Sequence, residues 1–270
     1  MAKRNLHGGT ESHLTAAILA ARAAGKILRS GFGQPHSIRM KGPTDPVTEI
    51  DRAAEDCIIR ILREATPGYG FLTEERGTIL GKTDLRWIVD PLDGTVNYSR
   101  GSPRFCTSIA LERAGELEIG VVYDPLRDDL FAAASGRGAT CNGESIRVSS
   151  TESLRSAVVG TGFPYDAWTS RRDNTAEVAY FVKRTLGVRS TGSAALDLAS
   201  VAAGRLDAHW EYGLAPYDVA AGILLVREAG GTVSDYVGHP NALYGTGIIA
   251  ANQSVHGEML SYLKTRPVAG

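Results

Sequence analysis

The early part of the chain alternates apolar and polar positions with the period of an α-helix. Between residues 12 and 30 the apolar positions step by three and four, which predicts an amphipathic helix. These positions are Leu14, Ile18, Ala21, Gly25 and Leu28. A second helix is predicted from about Thr48 to Ala65, with Thr48 as its N-cap. Residues 1–10 lack the helical spacing and are expected to form a flexible tail.

After Pro67 the pattern changes to short apolar runs separated by turn residues, which predicts β-strands. The predicted strands cover residues 69–73, 85–89, 107–111, 119–123, 129–134, 157–160, 188–190, 208–211 and 232–234. Further helices are predicted over residues 171–186, 193–203, 216–229 and 253–265. This mixture favours an α/β (α+β) chain in which helices sandwich layered sheets. We expect a single domain of 270 residues with two closely packed halves, about 11–150 and 151–270.

Composition narrows the class of protein. The chain is 43% hydrophobic and 22% charged, which is typical of globular proteins. A formal net charge of −1 and the lack of a Lys or Arg run argue against a nucleic-acid partner. No stretch approaches the ~20 apolar residues that a membrane span needs. We therefore expect a cytoplasmic protein with neither a nucleic-acid partner nor a membrane partner.

Cysteine and histidine form no recognisable metal-binding pattern. The three cysteines (Cys57, Cys106 and Cys141) are widely spaced and contain no C-x-x-C pair. A disulfide framework or a zinc site is therefore not expected, and the reducing cytosol is the natural setting. The six histidines are scattered without an H-x-x-x-H pair, so none is assigned a metal role.

The segment Trp87–Asn97, Trp-Ile-Val-Asp-Pro-Leu-Asp-Gly-Thr-Val-Asn, carries the strongest chemical signal. An apolar strand runs into Asp90, and Asp93 follows where a turn can bring its carboxylate back toward Asp90. Gly94 and Thr95 then start a short helix, whose free backbone N–H groups suit an anion. Carboxylates beside a phosphate are the environment that Mg²⁺ prefers. Taken alone, the segment is as consistent with a tight turn at Asp93-Gly94 and a cap at Asp90 as with a metal site.

Further acidic residues lie at the ends of other predicted elements. Glu74 follows the apolar run 71–73, which places it at the same sheet edge as Asp90. Asp218 is near the start of an Ala-rich apolar helix, where a buried charge is costly unless it is paired or metal-bound. Asp51 lies in the first turn of the second helix, where capping is the more common role of a carboxylate.

These segments, in this order and at this spacing, resemble the inositol monophosphatase family of Mg²⁺-dependent, often lithium-sensitive phosphatases. The resemblance extends over residues 14–263. The segments that carry it are Asp45–Asp51, Phe71–Glu75, Trp87–Asn97, Gly192–Ala195 and Asp218–Gly222. It implies a layered αβαβα sandwich of the inositol monophosphatase and fructose-1,6-bisphosphatase type, two or three Mg²⁺ ions, a small phosphorylated substrate and a homodimer.

The resemblance also implies a role for each matching acidic position. A first metal ion is expected on Glu74, Asp90 and the Leu92 carbonyl. A second is expected on Asp90, Asp93 and Asp218, and a weaker third ion near Asp51 and Glu74. Thr95, linked to Asp51, is expected to position and help to activate the attacking water. The expected catalytic residues are therefore Glu74, Asp51 and Thr95.

The substrate contacts implied by the resemblance divide into two groups. The amides of Gly94 and Thr95 are expected to receive the phosphate. Contacts to the rest of the substrate are expected from Gly192, Ser193, Ala194, Glu211 and Asp218. Because the Glu211 carboxylate can accept hydrogen bonds from hydroxyl groups, inositol 1-phosphate or a similar polyol phosphate is the leading substrate. Attack by metal-activated water would release the alcohol and inorganic phosphate.

Other functions stay open at this point. Relatives with this fold hydrolyse histidinol phosphate, fructose 1,6-bisphosphate or 3′-phosphorylated nucleotides. A nucleotide base would need an aromatic or Arg platform, for which Trp168 and the pair Arg171-Arg172 are candidates. A non-catalytic regulatory protein on the same fold is a further alternative.

Some positions depart from the family pattern. Thr73 stands where the family usually has Gly, Val96 where it has Thr, and Tyr217 where many members have Trp. None of these changes removes an expected metal ligand, but each bears on the rim of the pocket and on substrate choice. Lys41 either reaches the phosphate region or is a solvated loop residue.

Overall fold

A computed structural model describes residues 6–34, 38–40 and 46–265 of the chain. The helices are α1 (Leu6–Gly31), α2 (Glu49–Ala65), α3 (Thr95–Ser99), α4 (Thr175–Phe181), α5 (Ala194–Ala202), α6 (Pro216–Glu228) and α7 (Gln253–Leu263), with one 3₁₀ turn at Leu154–Ser156. The strands are β1 (Ile38–Met40), β2 (Pro46–Thr48), β3 (Gly70–Thr73), β4 (Gly77–Ile79), β5 (Leu85–Asp93), β6 (Cys106–Arg113), β7 (Glu116–Asp124), β8 (Asp129–Ala134), β9 (Ala139–Cys141), β10 (Glu144–Ser145), β11 (Val158–Thr161), β12 (Gly187–Ser190), β13 (Ala208–Tyr212), β14 (Thr232–Ser234) and β15 (Gly247–Ala251).

Most strands belong to two sheets. The larger sheet has the strand order β10-β9-β8-β7-β6-β5-β3-β4 and is antiparallel except where β3 pairs in parallel with β5. The smaller sheet has the order β12-β11-β13-β15-β14, with β11 parallel to both of its neighbours. β1 and β2 form a separate antiparallel pair.

The helices separate and cover these sheets. α1 and α2 pack on each other and on the larger sheet, α5 and α6 lie between the two sheets, and α7 covers the smaller sheet. The order of layers is therefore helix, sheet, helix, sheet, helix, and the predicted αβαβα sandwich is confirmed. No helix in the described residues is both long and apolar enough to cross a membrane.

The apolar patterns of the helices follow from these positions. α2 borders solvent on one side and buries only one face, including Ala54, Ile58 and Leu62 at steps of four. α6 lies between sheets, and its residues from Val219 to Val226 are all buried. A helix enclosed in this way needs apolar residues on every side, whereas a covering helix needs a single stripe.

Several boundaries differ from those predicted. α1 begins at Leu6, so residues 6–10 are helical and not part of a flexible tail. α4 is shorter than the predicted helix 171–186 because Asn174, at φ 67°, turns the chain into the left-handed region just before it. β5 continues through Pro91 to Asp93 because its pairing with β6 shifts register there. In the described residues, six strands have no counterpart among the predicted ones: β1, β2, β4, β9, β10 and β15. Lys41 and Asp45 lie outside the described residues.

The packing of α5 on α6 gives a first testable prediction. A Cβ atom added to Gly222 would lie 2.5 Å from the Cβ atom of Leu198. Because two backbones would have to separate, Gly222→Ala should lower the free energy of unfolding by about 1–3 kcal/mol. The matched control is Gly257→Ala in α7, where nothing lies within 4 Å of the added Cβ. That control should raise stability by up to about 1 kcal/mol through helix propensity. Thermal unfolding of both variants measures the difference, and equal melting temperatures would contradict it.

Candidate active site

The parallel pairing of β3 with β5 brings two carboxylates to one sheet edge. Glu74 follows β3 directly, and its backbone N–H donates to the carbonyl of Val89 at 3.2 Å. Its carboxyl group lies within hydrogen-bonding distance of Asp90 on β5. Asp90 is only 2% exposed and accepts a bond from the Leu92 amide at 3.0 Å. The two expected ligands of the first metal ion are therefore adjacent.

The turn after β5 depends on Gly94. Its φ of 92° lies in the left-handed region, which a side chain disfavours. A Cβ atom there would also lie 2.8 Å from the Arg104 carbonyl oxygen and 3.1 Å from that of Gly192. This turn positions Thr95, whose Oγ1 lies 3.1 Å from Asp51 Oδ1 and 3.0 Å from the Leu92 carbonyl oxygen.

Asp51 combines two structural roles. Its Oδ2 accepts the Thr48 amide at 2.9 Å and the Thr48 hydroxyl at 2.6 Å, which closes a capping box at the start of α2. Its other oxygen is the partner of Thr95. The predicted N-cap and the expected link between Thr95 and Asp51 are both confirmed. Asp51 is fully buried and does not line the cavity described below.

Asp93 joins the two halves of the molecule. Its Oδ2 accepts the Ser193 hydroxyl at 2.6 Å and the Ala195 amide at 2.8 Å, at the start of α5. Across the cavity, Asp218 accepts the Ala215 amide at 2.7 Å in the first turn of α6. Both carboxylates are thus held by helix-start N–H groups, which prefer an anionic partner.

Burial and mutual proximity make these carboxylates hard to ionise together. Burial raises the pKa of Asp90 well above its usual value, and the neighbouring Glu74, Asp93 and Asp218 raise this pKa further. Burial also raises the pKa of Asp93 to about 6, although its bonds to Ser193 and Ala195 act in the opposite direction. The pKa of Asp218 is raised by burial and then by Asp93. A nearby cation would relieve this repulsion.

The carboxylates open into a cavity of about 340 Å³ between the two sheets. Among the described residues that line it, six are acidic and none is Lys or Arg. The acidic residues are Glu74, Asp90, Asp93, Asp197, Glu211 and Asp218. The expected substrate contacts also line it: Gly94, Thr95, Gly192, Ser193 and Ala194. The fold therefore brings every expected site residue except Asp51 to one cavity.

The donor set suits a hard divalent cation. Carboxylate and carbonyl oxygens are the protein ligands that Mg²⁺ prefers. Within the described residues, no three His, Cys, Asp or Glu side chains are yet close enough together to hold an ion. Asp93 and Asp218 each use one oxygen for a backbone N–H group, and the second oxygen of each carboxylate has no such amide bond. The chemistry of these oxygen donors therefore fits a hard divalent cation.

Some site residues were missed by sequence reasoning. Asn97 Nδ2 donates to the carbonyl oxygens of Arg104 at 2.7 Å and Thr191 at 2.8 Å, and it lies 3.3 Å from that of Gly192. It thereby ties the loop before α5 to α3. The position of Asn97 at the end of the Trp87–Asn97 segment marked it as a candidate site residue. Its role was not predictable, because its partner Thr191 is distant in sequence.

Part of the cavity wall is aromatic. Phe163 and Tyr165 line it, and both are exposed at the mouth. Trp168 is 79% exposed and does not line the cavity. The guanidinium of Arg172 lies 4.9 Å from the ring centre of Tyr212. None of Trp168, Arg171 and Arg172, the candidates for a nucleotide platform, lines this cavity.

Comparison with known proteins agrees with this geometry. The profile of the inositol monophosphatase family matches residues 10–266. The chain is 44% identical to an inositol-1-monophosphatase of Mesorhizobium japonicum, over 93% of this chain and 96% of that protein. It is also 44% identical to the Nus factor SuhB of Pseudomonas aeruginosa, over 93% of this chain and 95% of that protein. The structure of an inositol monophosphatase from Anabaena (Nostoc) sp. PCC 7120 superimposes with a TM-score of 0.87 at 39% identity, covering 96% of this chain and 98% of that one.

A layered αβαβα fold with a carboxylate-lined cavity at the junction of its sheets defines a phosphatase, that is, a phosphoric monoester hydrolase. The chain belongs to the inositol monophosphatase family.

The turn at Gly94 gives a second prediction. Gly94→Ala should strongly reduce hydrolysis of p-nitrophenyl phosphate, because the added Cβ atom would displace the turn that holds Thr95 against Asp51. The matched control is Gly101→Ala, which has φ 72° but nothing within 4 Å of an added Cβ. Both variants carry the left-handed strain of roughly 1–2 kcal/mol. Only Gly94→Ala should also lose activity, and equal activity losses in the two variants would contradict the assignment.

Proposed function

We propose that this phosphatase is Mg²⁺-dependent and hydrolyses inositol 1-phosphate or a similar small polyol phosphate to the alcohol and inorganic phosphate. The observation that carries the proposal is the cavity with six acidic side chains and, among its described lining residues, no Lys or Arg. A phosphate group entering such a cavity would be repelled unless cations accompanied it. Divalent cations held by carboxylates are the common solution for phosphate chemistry.

We propose the ligand assignments that the family resemblance implies, and the meeting of the acidic groups in one cavity supports them. Glu74, Asp90 and the Leu92 carbonyl would hold a first ion. Asp90, Asp93 and Asp218 would hold a second, and Asp51 with Glu74 would support a third. When bound, the ions would supply charge neutralisation and favour ionisation of a water molecule.

Thr95 is suited to orienting that water. Its hydroxyl proton is used in a bond to Asp51 or to the Leu92 carbonyl. Its oxygen is therefore left as an acceptor for a hydrogen bond from the water. Asp51 has its oxygens occupied by Thr48 and Thr95, so it acts through Thr95 rather than on the substrate. The Gly94 and Thr95 amides would bind the phosphate oxygens.

The other end of the cavity favours a hydroxyl-bearing alcohol. Glu211 lines the cavity and is 7% exposed, so it offers a nearly desolvated acceptor. The loop Gly192–Ala194 lies beside it in the same cavity. Because a desolvated carboxylate left without a donor is costly, this end discriminates against substrates that lack hydroxyl groups. The aromatic wall of Phe163 and Tyr165 keeps histidinol phosphate and 3′-phosphorylated nucleotides as alternatives, together with fructose 1,6-bisphosphate.

The assembly and the setting belong to the same proposal. The family resemblance supports a cytoplasmic homodimer, and light scattering of the purified protein measures its oligomeric state.

A substrate panel tests the proposed alcohol. With Mg²⁺, kcat/KM for inositol 1-phosphate should exceed that for histidinol phosphate, fructose 1,6-bisphosphate and adenosine 3′,5′-bisphosphate by at least about tenfold. Of the four, inositol 1-phosphate alone is a monophosphate that offers several hydroxyl donors to Glu211, and the two bisphosphates bring a second phosphate into an acidic cavity. Addition of EDTA should abolish turnover of every substrate, and excess Mg²⁺ should restore it. A higher kcat/KM for histidinol phosphate would contradict the proposed substrate. Activity that survives EDTA would contradict the proposed dependence on Mg²⁺.

The metal assignment is tested at Asp93. Asp93→Asn should reduce kcat by at least about 10²–10³-fold while leaving the fold intact, because it removes one anionic ligand from a site with excess negative charge. The matched control is Asp84→Asn, just before the opposite end of β5, where the side chain is 59% exposed. The control should stay within about twofold of the wild type, since exposed ion pairs contribute little. Near-normal activity of Asp93→Asn would rule out the assignment.

A second candidate function is regulatory and independent of hydrolysis. It is favoured by the 44% identity to a relative named Nus factor SuhB, over 93% of this chain. The test is complementation of a Pseudomonas aeruginosa strain that lacks its own SuhB. Rescue by both the wild type and Asp93→Asn would support the regulatory function, whereas failure of both to rescue would contradict it.

A further inference from the structure

A buried histidine lies directly behind Glu211. His209 and Glu211 are two residues apart on β13, so their side chains project from the same face of the strand. His209 has no exposed side-chain surface. Its Nε2 lies 3.2 Å from Glu211 Oε2, and its Nδ1 lies 3.7 Å from Asp197 Oδ2. An imidazole thus separates two carboxylates in the protein interior.

The neighbouring strand leaves room for this pair. Gly160 on β11 is opposite His209 in the parallel register. A Cβ atom on Gly160 would lie 3.0 Å from His209 Nδ1, and one on Gly162 would collide with the Glu211 carboxylate. Two glycines at alternate positions therefore face a histidine and a glutamate at alternate positions. The absence of side chains at these two glycines leaves space in the sheet for both His209 and Glu211.

The pair is anchored on its inner side. Asp197 Oδ1 accepts Arg104 Nη2 at 3.0 Å and the Thr191 hydroxyl at 2.7 Å, which leaves Oδ2 to face the imidazole. A line of alternating charge therefore runs from Arg104 through Asp197 and His209 to Glu211 at the cavity. Neither ring nitrogen of His209 has a well-aligned hydrogen bond, so electrostatic attraction holds the ring.

The charges around His209 favour its protonated form. Burial lowers the pKa of His209, but Glu211 on its own strand, Asp197 on α5 and Asp93 at the end of β5 outweigh burial and raise this pKa above its usual value. Arg104, behind Asp197, is the only cation in the described line. An imidazolium in this position would attract Glu211 Oε2, 3.2 Å from Nε2, toward the interior.

We propose that His209 is a positioning residue that holds the Glu211 carboxylate as a fixed acceptor for substrate hydroxyl groups. The inference rests on the proposed function, since it concerns the alcohol end of the same cavity. One carboxylate oxygen is engaged by His209, and the remainder of the group is presented to the cavity in one orientation. A phosphate ester with hydroxyl groups would bind more tightly because of this acceptor, whereas an ester without hydroxyl groups would gain no affinity from it. His209 thereby contributes to selection of polyol phosphates.

The experiment compares two substrates in each variant. For wild type, His209→Gln and His209→Phe, kcat and KM are measured with inositol 1-phosphate and with phenyl phosphate, which carries no hydroxyl group. The ratio of the two kcat/KM values should fall by roughly tenfold in His209→Phe, which removes the charged contact that orients Glu211. The fall should arise mainly from KM for inositol 1-phosphate. His209→Gln retains an N–H donor and should lose less.

A second variant keeps His209 and disturbs its position. Gly160→Ala places a methyl group against the imidazole and should lower the same ratio. Gly257→Ala, which has open space around the added Cβ, should leave the ratio unchanged. In a Glu211→Gln background, His209→Phe should cause little further fall, because the group that it positions is already altered.

The outcomes separate the inference from the proposed function. A wild-type enzyme without preference for inositol 1-phosphate over phenyl phosphate would contradict the proposed substrate class and the role of His209 with it. A wild-type preference that survives unchanged in folded His209→Phe and Gly160→Ala proteins would overturn the role of His209 alone. Equal falls in kcat/KM for both substrates would identify His209 as a general structural residue, which also overturns the inference.

Discussion

The structure depends on confining several carboxylates in one cavity that has no Lys or Arg among its described lining residues. Such a group of charges opposes folding, since each buried carboxylate raises the pKa values of its neighbours. A monophosphate substrate adds further negative charge. Cations held by these carboxylates, as proposed above, would offset the charge of both the protein and the substrate.

The surrounding fold is arranged to carry this electrostatic cost. Two acidic groups accept bonds from helix-start amides, Asp93 at α5 and Asp218 at α6. Asp51 does the same at α2 and transmits its position to Thr95. α5 and α6 begin at the cavity, and α2 begins beside Thr95. Each of the three helices continues into an apolar core between or beside the sheets. The cores therefore fix the helices, and the helices fix the carboxylates.

At the end of the cavity proposed to bind the alcohol, the negative charge is offset in a different way. The phosphate end uses excess negative charge that cations offset, whereas Glu211 is balanced internally by the line from His209 through Asp197 to Arg104. An acceptor whose charge is offset from behind does not need a metal ion in front. This difference supports the proposal that ions and phosphate bind at one end and hydroxyl groups at the other.

The sequence by itself identified most of the acidic side chains that the fold brings to one cavity. Strand-ending carboxylates at Glu74 and Asp90, the Asp-Gly-Thr turn and the cap at Thr48 are local patterns, and each depends on residues within a few positions of one another. The layered fold was also accessible, because the periods of its helices and strands are local properties. The ends of the helices were harder to predict from the sequence, as the starts of α1 and α4 show. Packing and a single backbone angle decide where these helices begin.

Only the tertiary structure decided how these groups act together. The bond from Ala195 to Asp93 joins residues 102 positions apart, and Asn97 reaches Thr191 across 94 positions. The position of His209 behind Glu211 depends on the register of β11 against β13, where Gly160 leaves the necessary space. The scarcity of positive charge in the cavity is likewise a property of the assembled walls. Such features arise from contacts between distant segments, and no local pattern of apolar and polar residues encodes them.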